Sequence, residues 1–259
     1  MIMNPDLSVV TAGGVTRLTL TNPKSRNSLH RSLCAAIRAA LTSAAADPQC
    51  RAVVLQGSGG SFASGADLAE LARPSEQRAL VLEGYRELRA THELLYALDR
   101  PTVAAIDGYC LGAGLSLALA CDLRIATPRS VFAALPARLG LLYSDQELWR
   151  LGLRVGFARS RDLLFTGRRV AAGEALEWGL VERLSEADAL DTALNELLDQ
   201  FAACSPRALC KTKQQILRFE REGAAGVQDD TLAEDALFEA DGVEGVRAFL
   251  ERRPPRFPA

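Results

Sequence analysis

The spacing of apolar and polar residues predicts alternating strands and helices over the first two thirds of the chain. Residues 15–21 alternate apolar and polar side chains, which is typical of a half-buried strand. Shorter and mostly apolar runs predict further strands at 52–56, 102–106, 123–126 and 130–132. Apolar residues spaced three or four apart predict helices at 29–46, 75–98 and 112–120. Strands that alternate with helices indicate an α/β core.

The last part of the chain has a different pattern, which is almost entirely helical. Helices are predicted at 144–154, 158–165, 173–178, 188–203, 206–221, 228–240 and 242–252, followed by an extended tail at 253–256. Apolar stripes such as Leu194, Leu197, Leu198 and Phe201 are typical of packing surfaces, either within the chain or against another subunit. The sequence therefore predicts an α/β core with an added helical layer.

Composition narrows the class of protein. The chain has 259 residues, of which 48% are hydrophobic and 24% are charged, which excludes disordered and fibrous classes. The formal net charge of −2 argues against a nucleic-acid-binding protein, since such proteins usually carry a basic face. The two histidines, His30 and His92, offer few candidates for a zinc site or a Ser-His-Asp arrangement, and we interpret both as surface or helix-packing residues.

Membrane insertion and disulfide bonding are not expected. The longest apolar stretch without charge has 14 residues, between Asp107 and Asp122, and it is shorter than the roughly 18 that a membrane span needs. The six cysteines form no CxxC pair, and the N-terminus lacks a basic segment followed by an apolar run. We therefore expect a cytoplasmic protein with free thiols, no membrane association and no metal.

Two glycine-rich turns are candidates for a chemical role, because each follows a buried strand and precedes a helix. They cover residues 61–68 (SFASGADL) and 107–115 (DGYCLGAGL). Small residues allow a ligand to approach the backbone, and the start of a helix presents unpaired N–H groups. Two such turns that meet at one point would offer a pair of donors to a developing oxyanion. The alternative is that the glycines serve only close packing of strand against helix.

Several motifs, in order along nearly the whole chain, resemble the crotonase superfamily of enoyl-CoA hydratases and isomerases. The similar segments are 22–29 (NPKSRNSL), 62–68 (FASGADL), 101–114 (PTVAAIDGYCLGAG), 121–126 (CDLRIA) and 165–181, which contains FTG and WGLV. Together these motifs are highly specific for a fold and much less specific for a reaction.

The resemblance implies an α/β fold, a spiral of ββα turns, over residues 1–200. A C-terminal helical region at 201–259 would help to form a homotrimer or a hexamer made of two trimers. The implied ligand is an acyl-CoA thioester, as in fatty acid metabolism, and no cofactor is implied because coenzyme A is part of the substrate.

The resemblance also implies site residues. The N–H groups of Ala66 and Ala113 would form an oxyanion hole around the thioester carbonyl. Ala113 replaces the usual middle glycine, and it can keep this role where its backbone angles permit. Other substrate-binding residues are expected at Lys24, Arg26, Asp67, Leu68, Pro136, Tyr143 and Phe249.

Both glutamates that the hydratases use are replaced in this chain. Alignment of the motifs places Ser116 at the first position and Pro136 at the second. Addition of water to an enoyl thioester needs a base for the water and an acid for the α-carbon. Hydration of crotonyl-CoA is therefore expected to be weak.

Other residues could replace the lost glutamates. Asp145 is the first candidate base and Glu147 the second, although both are also explained as helix N-terminal acids behind an N-cap at Ser144. A serine at the position of Ser116 has a precedent in the similar hydroxycinnamoyl-CoA hydratase-lyases, which keep the second glutamate. Tyr143 is either a proton donor or part of an acyl pocket. The leading hypothesis is a hydratase/isomerase-type lyase or isomerase. The alternatives are a catalytically silent acyl-CoA-binding paralogue and a structural subunit of a mixed oligomer.

Overall fold

The computed structural model describes residues 4–72, 74–226 and 231–257. Its ten strands within these residues are β1 (Leu7–Ala12), β2 (Val15–Leu20), β3 (Ala52–Gly57), β4 (Ser61–Ala63), β5 (Thr102–Ile106), β6 (Tyr109–Leu111), β7 (Leu123–Ala126), β8 (Val131–Ala133), β9 (Val170–Ala171) and β10 (Arg183–Leu184). Its ten α-helices in the same residues are α1 (Arg31–Ala46), α2 (Leu68–Leu71), α3 (Arg78–Ala97), α4 (Ala113–Leu119), α5 (Asp145–Thr166), α6 (Ala172–Glu177), α7 (Leu190–Ala202), α8 (Pro206–Glu222), α9 (Thr231–Phe238) and α10 (Ala240–Leu250).

The strands form two sheets. The larger sheet has the order β1-β2-β3-β5-β7-β10, with an antiparallel β1–β2 pair and parallel pairing across the rest. The smaller sheet has the order β4-β6-β8-β9, in which only β9 pairs antiparallel. A parallel pair requires a crossover connection, and here helices supply it.

A ββα unit repeats three times and winds the chain into a spiral. In each unit, one strand joins the larger sheet (β3, β5 or β7), the next joins the smaller sheet (β4, β6 or β8), and a helix returns the chain. The repeat brings corresponding turns of successive units side by side. It therefore places the two glycine-rich segments of the sequence next to each other.

Alternation along the buried strands explains why they are apolar on both faces. In β3, Val53 and Leu55 belong to the main core, whereas Ala52 and Val54 belong to a second cluster. The second cluster also contains Leu194, Leu197 and Leu198 of α7, so this helix covers the outer face of the larger sheet. A parallel sheet covered on both faces needs such continuous apolar runs.

The ββα spiral and the C-terminal helices confirm the predicted fold class, with some differences in the elements. The predicted break between helices at 154 and 158 is a kink within α5, where Gly156 has a φ of +75°. The prediction missed β1, and it did not identify the short strands β4 and β6, because three residues are too few to show a period. Residues 228–230 of the helix predicted at 228–240 lie outside the described residues.

The boundary between a core at 1–200 and a helical region at 201–259 stays a prediction. It falls in the last turn of α7, which packs on the sheet. In the described part of the chain, no helix is both long enough and apolar enough to cross a lipid bilayer.

Candidate active site

One large cavity lies where the glycine-rich turns meet α3 and the start of α5. Its volume is about 1060 Å³, and most of its lining is apolar. The apolar side chains come from α2 and α3 and from the segment before α5, and they include Leu71, Leu80, Leu82, Leu88, Leu139, Leu141 and Leu142. A cavity of this kind suits a ligand with a long apolar part and few polar groups.

The first glycine-rich turn presents a backbone N–H to the cavity at Ala66. Gly65 has a φ of +114°, a conformation that favours glycine. Leu29 forms a bridge to this turn: its N–H donates to Gly65 O (2.8 Å), and its own O accepts from Asp67 N (3.1 Å). Successive N–H groups of an extended chain point to opposite sides, so the bridge leaves the N–H of Ala66 free of Leu29.

The second turn presents the N–H of Ala113. Ala113 is the first residue of α4, where the N–H groups have no acceptor within the helix. The positive φ that the turn requires, +51°, belongs to Gly112, whose N–H donates to Ala133 O (2.8 Å). Ala113 is not among the residues with positive φ, so replacement of the usual glycine by alanine does not strain this turn.

The two turns are in close contact. A Cβ atom added to Gly65 would lie 3.1 Å from Leu111 O and 3.5 Å from Ala113 N. A Cβ added to Gly114 would lie only 2.4 Å from Ala63 O, so that position also requires glycine. Close packing of the two turns brings Ala66 and Ala113 to the wall of the same cavity.

Most of the residues that the sequence nominated for substrate binding line this cavity. They are Ala66, Asp67, Leu68, Ala113, Pro136 and Tyr143. Tyr143 donates a hydrogen bond from its hydroxyl to Gly112 O (2.9 Å), and this bond helps to fix the second turn. Burial, followed by the nearby charge of Glu147, raises the pKa of the Tyr143 phenol.

Ser116 and Pro136, which the sequence alignment predicts at the glutamate positions, have different locations. Pro136 lines the cavity at the start of a 3₁₀ turn and offers no group that titrates. Ser116 is buried in α4 and does not line the cavity; its hydroxyl lies 3.5 Å from Gly112 O.

The structure separates the two candidate bases in α5. Asp145 is exposed and does not line the cavity, whereas Glu147 is buried and does. Residues two positions apart in an α-helix differ by about 200° around its axis, so Asp145 and Glu147 face in nearly opposite directions. Ser144 caps the helix, and a reciprocal capping box ties it to Glu147.

The remaining nominated residues lie outside the cavity. Lys24 and Arg26 are exposed on the loop before α1, and Ser64 of the cavity wall holds this loop through hydrogen bonds to Ser25 O (3.0 Å) and Arg26 O (2.9 Å). The loop therefore lies next to the cavity mouth. Phe249, on α10, is 84% exposed and does not line the cavity.

Sequence reasoning gave His92 no functional role, yet it lies next to the site. His92 in α3 is only 1% exposed, and its Nδ1 is 3.6 Å from Glu147 Oε1. Burial lowers the pKa of His92 to about 4, against the opposing influence of the Glu147 carboxylate. The signal in the sequence was weak, because His92 is one polar residue on a long helix and Glu147 is 55 residues away.

Within the described ranges, no three side chains of His, Cys, Asp or Glu are arranged to hold a metal ion.

Comparison with known proteins agrees with this architecture. The family described as enoyl-CoA hydratase/isomerase matches residues 11–259. A protein of Thermus thermophilus named putative enoyl-CoA hydratase is 36% identical over 254 residues, which cover 96% of this chain and 99% of that protein. The Bacillus subtilis protein YngF, named putative enoyl-CoA hydratase/isomerase, is 35% identical over 91% of each chain.

Solved structures give the same result. A crystal structure from Hyphomonas neptunium, described as a putative enoyl-CoA hydratase/isomerase family protein, has a TM-score of 0.90 at 32% identity and covers 98% of this chain and 97% of that one. An enoyl-CoA hydratase from Bacillus anthracis also has a TM-score of 0.90, at 31% identity, and covers 97% and 98%. These matches and the ββα spiral show that the chain belongs to the enoyl-CoA hydratase/isomerase family of the crotonase superfamily.

Proposed function

We propose that this protein binds an acyl-CoA thioester in the large cavity and stabilises the thioester enolate. The observation that carries this proposal is that Ala66 and Ala113, on two turns in close contact, line one apolar cavity. Their N–H groups would be the two donors to the thioester oxygen. Donors held in place before the reaction stabilise charge where it develops and need no reorganisation. The apolar lining from α2, α3 and the segment before α5 would take the acyl chain.

The nucleotide end of coenzyme A would lie near the loop that carries Lys24 and Arg26. Both side chains are exposed, and Ser64 connects the loop to the cavity wall. Cationic side chains form charge-assisted hydrogen bonds with phosphate groups. Phe249 does not line the cavity of its own chain, so we expect any contact with coenzyme A to come from a neighbouring subunit.

We also infer that the C-terminal helices take part in assembly into a homotrimer or hexamer. In α9 and α10, the large apolar side chains Leu237, Phe238, Val246, Phe249 and Leu250 are each at least 60% exposed. Exposed apolar groups of this density are typical of interaction surfaces. Sedimentation velocity would measure the assembly, and a monomer at all concentrations would contradict it.

The experiment for the main proposal is a panel of acyl-CoA thioesters measured for binding and for exchange of α-protons. Isothermal titration calorimetry gives the affinity, and mass spectrometry after incubation in D₂O gives the exchange rate. Saturable binding with exchange faster than in the buffer supports enolate stabilisation. No binding of any thioester in the panel would contradict the proposal.

A second candidate function is that of a silent acyl-CoA-binding paralogue. The replacement of both usual glutamates by Ser116 and Pro136 favours it. The same panel distinguishes the two: a silent paralogue binds acyl-CoA but leaves the α-protons unexchanged.

A further inference from the structure

Glu147 is a buried carboxylate in the cavity wall to which the proposed function gives no role. Its side chain is 8% exposed, and its residue lies in the first turn of α5. Oε2 accepts hydrogen bonds from Ser144 N (2.8 Å) and from Ser144 Oγ (2.9 Å). The helix cap therefore fixes Oε2, and the other oxygen, Oε1, faces His92.

The imidazole of His92 faces Oε1 from α3. Within the described residues, neither ring nitrogen has a hydrogen-bond partner of normal geometry, although both are buried. The charged groups around the ring are Glu147 and Arg150 from α5 and Glu93 from α3, and the backbone of Ala113 in α4 lies against it. A buried imidazole without a partner is costly, so its position next to a carboxylate calls for a reason.

Burial keeps this imidazole neutral at pH 7, because it lowers the pKa to about 4. A neutral imidazole carries one N–H, which can lie on Nδ1. The distance of 3.6 Å from Nδ1 to Oε1 exceeds a hydrogen bond by less than 1 Å. Catalytic hydrogen bonds are often long in unliganded enzymes and shorten when substrate binds.

Two other carboxylates line the cavity, and one oxygen of each bonds a helix end, as Glu147 Oε2 does. Asp67 Oδ1 accepts from Ala69 N (2.9 Å) and Glu70 N (3.3 Å), which caps α2. Glu70 Oε2 accepts from Arg31 N (2.9 Å) at the start of α1. Both residues are also more exposed than Glu147. Glu147 is thus the buried carboxylate among the described lining residues. The His92 ring lies between it and the Ala113 backbone.

We propose that Glu147 is the proton-transfer residue of this site and that Ser144 and His92 position it. Of the two reactions in the family's name, such a single carboxylate would serve isomerisation, which is a 1,3-proton shift in an unsaturated acyl-CoA. This inference rests on the proposed binding of an acyl-CoA thioester. The Glu147 carboxylate takes a proton from C2 of a 3-enoyl thioester, and the electrons of the broken C–H bond move through C1 onto the thioester oxygen. The N–H groups of Ala66 and Ala113 stabilise this oxyanion.

The second half of the reaction returns the same proton. The dienolate electrons move back, the C3–C4 π electrons form a bond from C4 to the proton on Glu147, and a C2–C3 double bond results. The carboxylate is regenerated, and no oxidant, water or other reactant is consumed. Hydration would need a further group to deprotonate water. Since Pro136 and the buried Ser116 cannot supply it at the cavity wall, a single carboxylate fits isomerisation better.

The first test compares Glu147→Gln with Asp145→Asn. Glutamine can keep the capping box, so the fold should survive, and Asp145 is an exposed acid two residues away in the same turn. The assays are conversion of 3-enoyl-CoA to 2-enoyl-CoA and α-proton exchange in D₂O. We expect Glu147→Gln to lose about 10²–10⁴-fold of both rates, because general acid–base help is removed, and Asp145→Asn to match the wild type.

The affinity for a saturated acyl-CoA shows whether a failure concerns the role of Glu147 or the proposed acyl-CoA binding. Glu147→Gln should bind the saturated acyl-CoA within about threefold of the wild type, a difference of less than 1 kcal/mol. Wild-type binding with neither exchange nor isomerisation would overturn the role of Glu147 while leaving acyl-CoA binding in place. Full activity of Glu147→Gln would do the same. Failure of the wild type to bind any thioester would instead overturn the proposed function and this inference with it.

The positioning role of His92 needs its own pair of variants. His92→Phe fills the same space without a donor, whereas His92→Gln keeps a donor that can reach Oε1. We expect His92→Phe to lower kcat by about 10–100-fold, the effect of losing a hydrogen bond to a charged group, while the Kd for acyl-CoA stays constant. His92→Gln should recover most of that loss. Equal rates for the two variants would overturn the positioning role, because a purely structural role would not depend on the donor.

Discussion

Two walls of the same cavity are built in different ways. The first wall consists of the turns at 61–68 and 107–115, and its functional groups are backbone N–H groups. The second wall consists of the 3₁₀ turn that begins at Pro136, the start of α5 and the adjacent face of α3, and its functional groups are side chains. The first wall keeps the pattern of the family despite an alanine in place of glycine. In the second wall, the sequence alignment predicts Pro136 at one usual glutamate position, and the buried acid is Glu147 on a different turn.

The contrast has a physical reason. A backbone donor needs only a suitable φ and ψ, so its side chain can change without loss of the N–H, and Gly65 and Gly112 provide the unusual angles nearby. An acid or base exists only where its side chain exists. Backbone sites therefore tolerate substitution, whereas side-chain sites disappear or move.

After the loss expected for Glu147→Gln, the largest effect comes from removing a backbone donor from the first wall. Ala66→Pro eliminates the N–H, and we expect turnover to fall by about 10²–10³-fold, as for loss of one oxyanion-hole donor. Ala66→Gly retains the N–H and should stay close to the wild type. Isomerisation and α-proton exchange measure the effect, and circular dichroism checks the fold. Unchanged turnover in a folded Ala66→Pro protein would remove Ala66 from the oxyanion hole.

The next prediction concerns the second wall and its stability toward acid. The folded pKa of His92, about 4, lies below the value near 6.5 of an unfolded chain, so the unfolded state binds more protons between these values. The free energy of unfolding should therefore be fully retained above pH 6.5 and fall by at least about 1 kcal/mol as the pH drops toward 4. Urea unfolding at several pH values measures this slope.

Removal of the imidazole assigns that slope. His92→Gln, which has no group that titrates, should flatten the decline between pH 6.5 and pH 4. If His92→Gln follows the wild type at every pH, the buried imidazole does not control acid stability.

A smaller effect is expected at the cavity mouth. Lys24→Ala combined with Arg26→Ala should weaken acyl-CoA binding by about three- to tenfold, since exposed ion pairs each contribute roughly 0.2–1 kcal/mol. The difference from the wild type should shrink as salt is added, because salt screens exposed charges. Arg207→Ala, at an exposed arginine on α8, is the control. Calorimetry that finds equal affinities at low salt would place the phosphates elsewhere.

The smallest effect is expected at Ser116. Because the Ser116 hydroxyl is buried behind the cavity wall and lies 3.5 Å from Gly112 O, Ser116→Ala should change kcat by less than about threefold. A loss of tenfold or more would show that this hydroxyl takes part in proton transfer, and it would weaken the contrast between the two walls.

The short elements show where sequence reasoning was incomplete. The motifs indicated the glycine-rich turns and the order of the major strands and helices. The three-residue strands β4 and β6 were not identified, because their residues lie within turn-like sequence and gain their pairing only from the neighbouring unit of the spiral. The choice of catalytic base between Asp145 and Glu147 likewise could not be made from local sequence. Both acids are helix N-terminal in sequence, and only the direction of each side chain toward solvent or cavity separates them.

The sequence by itself determined the family, the α/β class and the two turns that carry Ala66 and Ala113. Those features depend on local pattern: apolar periodicity, glycines where φ is positive, and motifs in a fixed order. The tertiary structure alone placed His92 against Glu147 and Glu147 in the cavity wall. The two residues are 55 positions apart in sequence, and they meet because α3 and α5 pack beside the same turn. A local sequence pattern contains no information about such a contact, whereas the packed core fixes it.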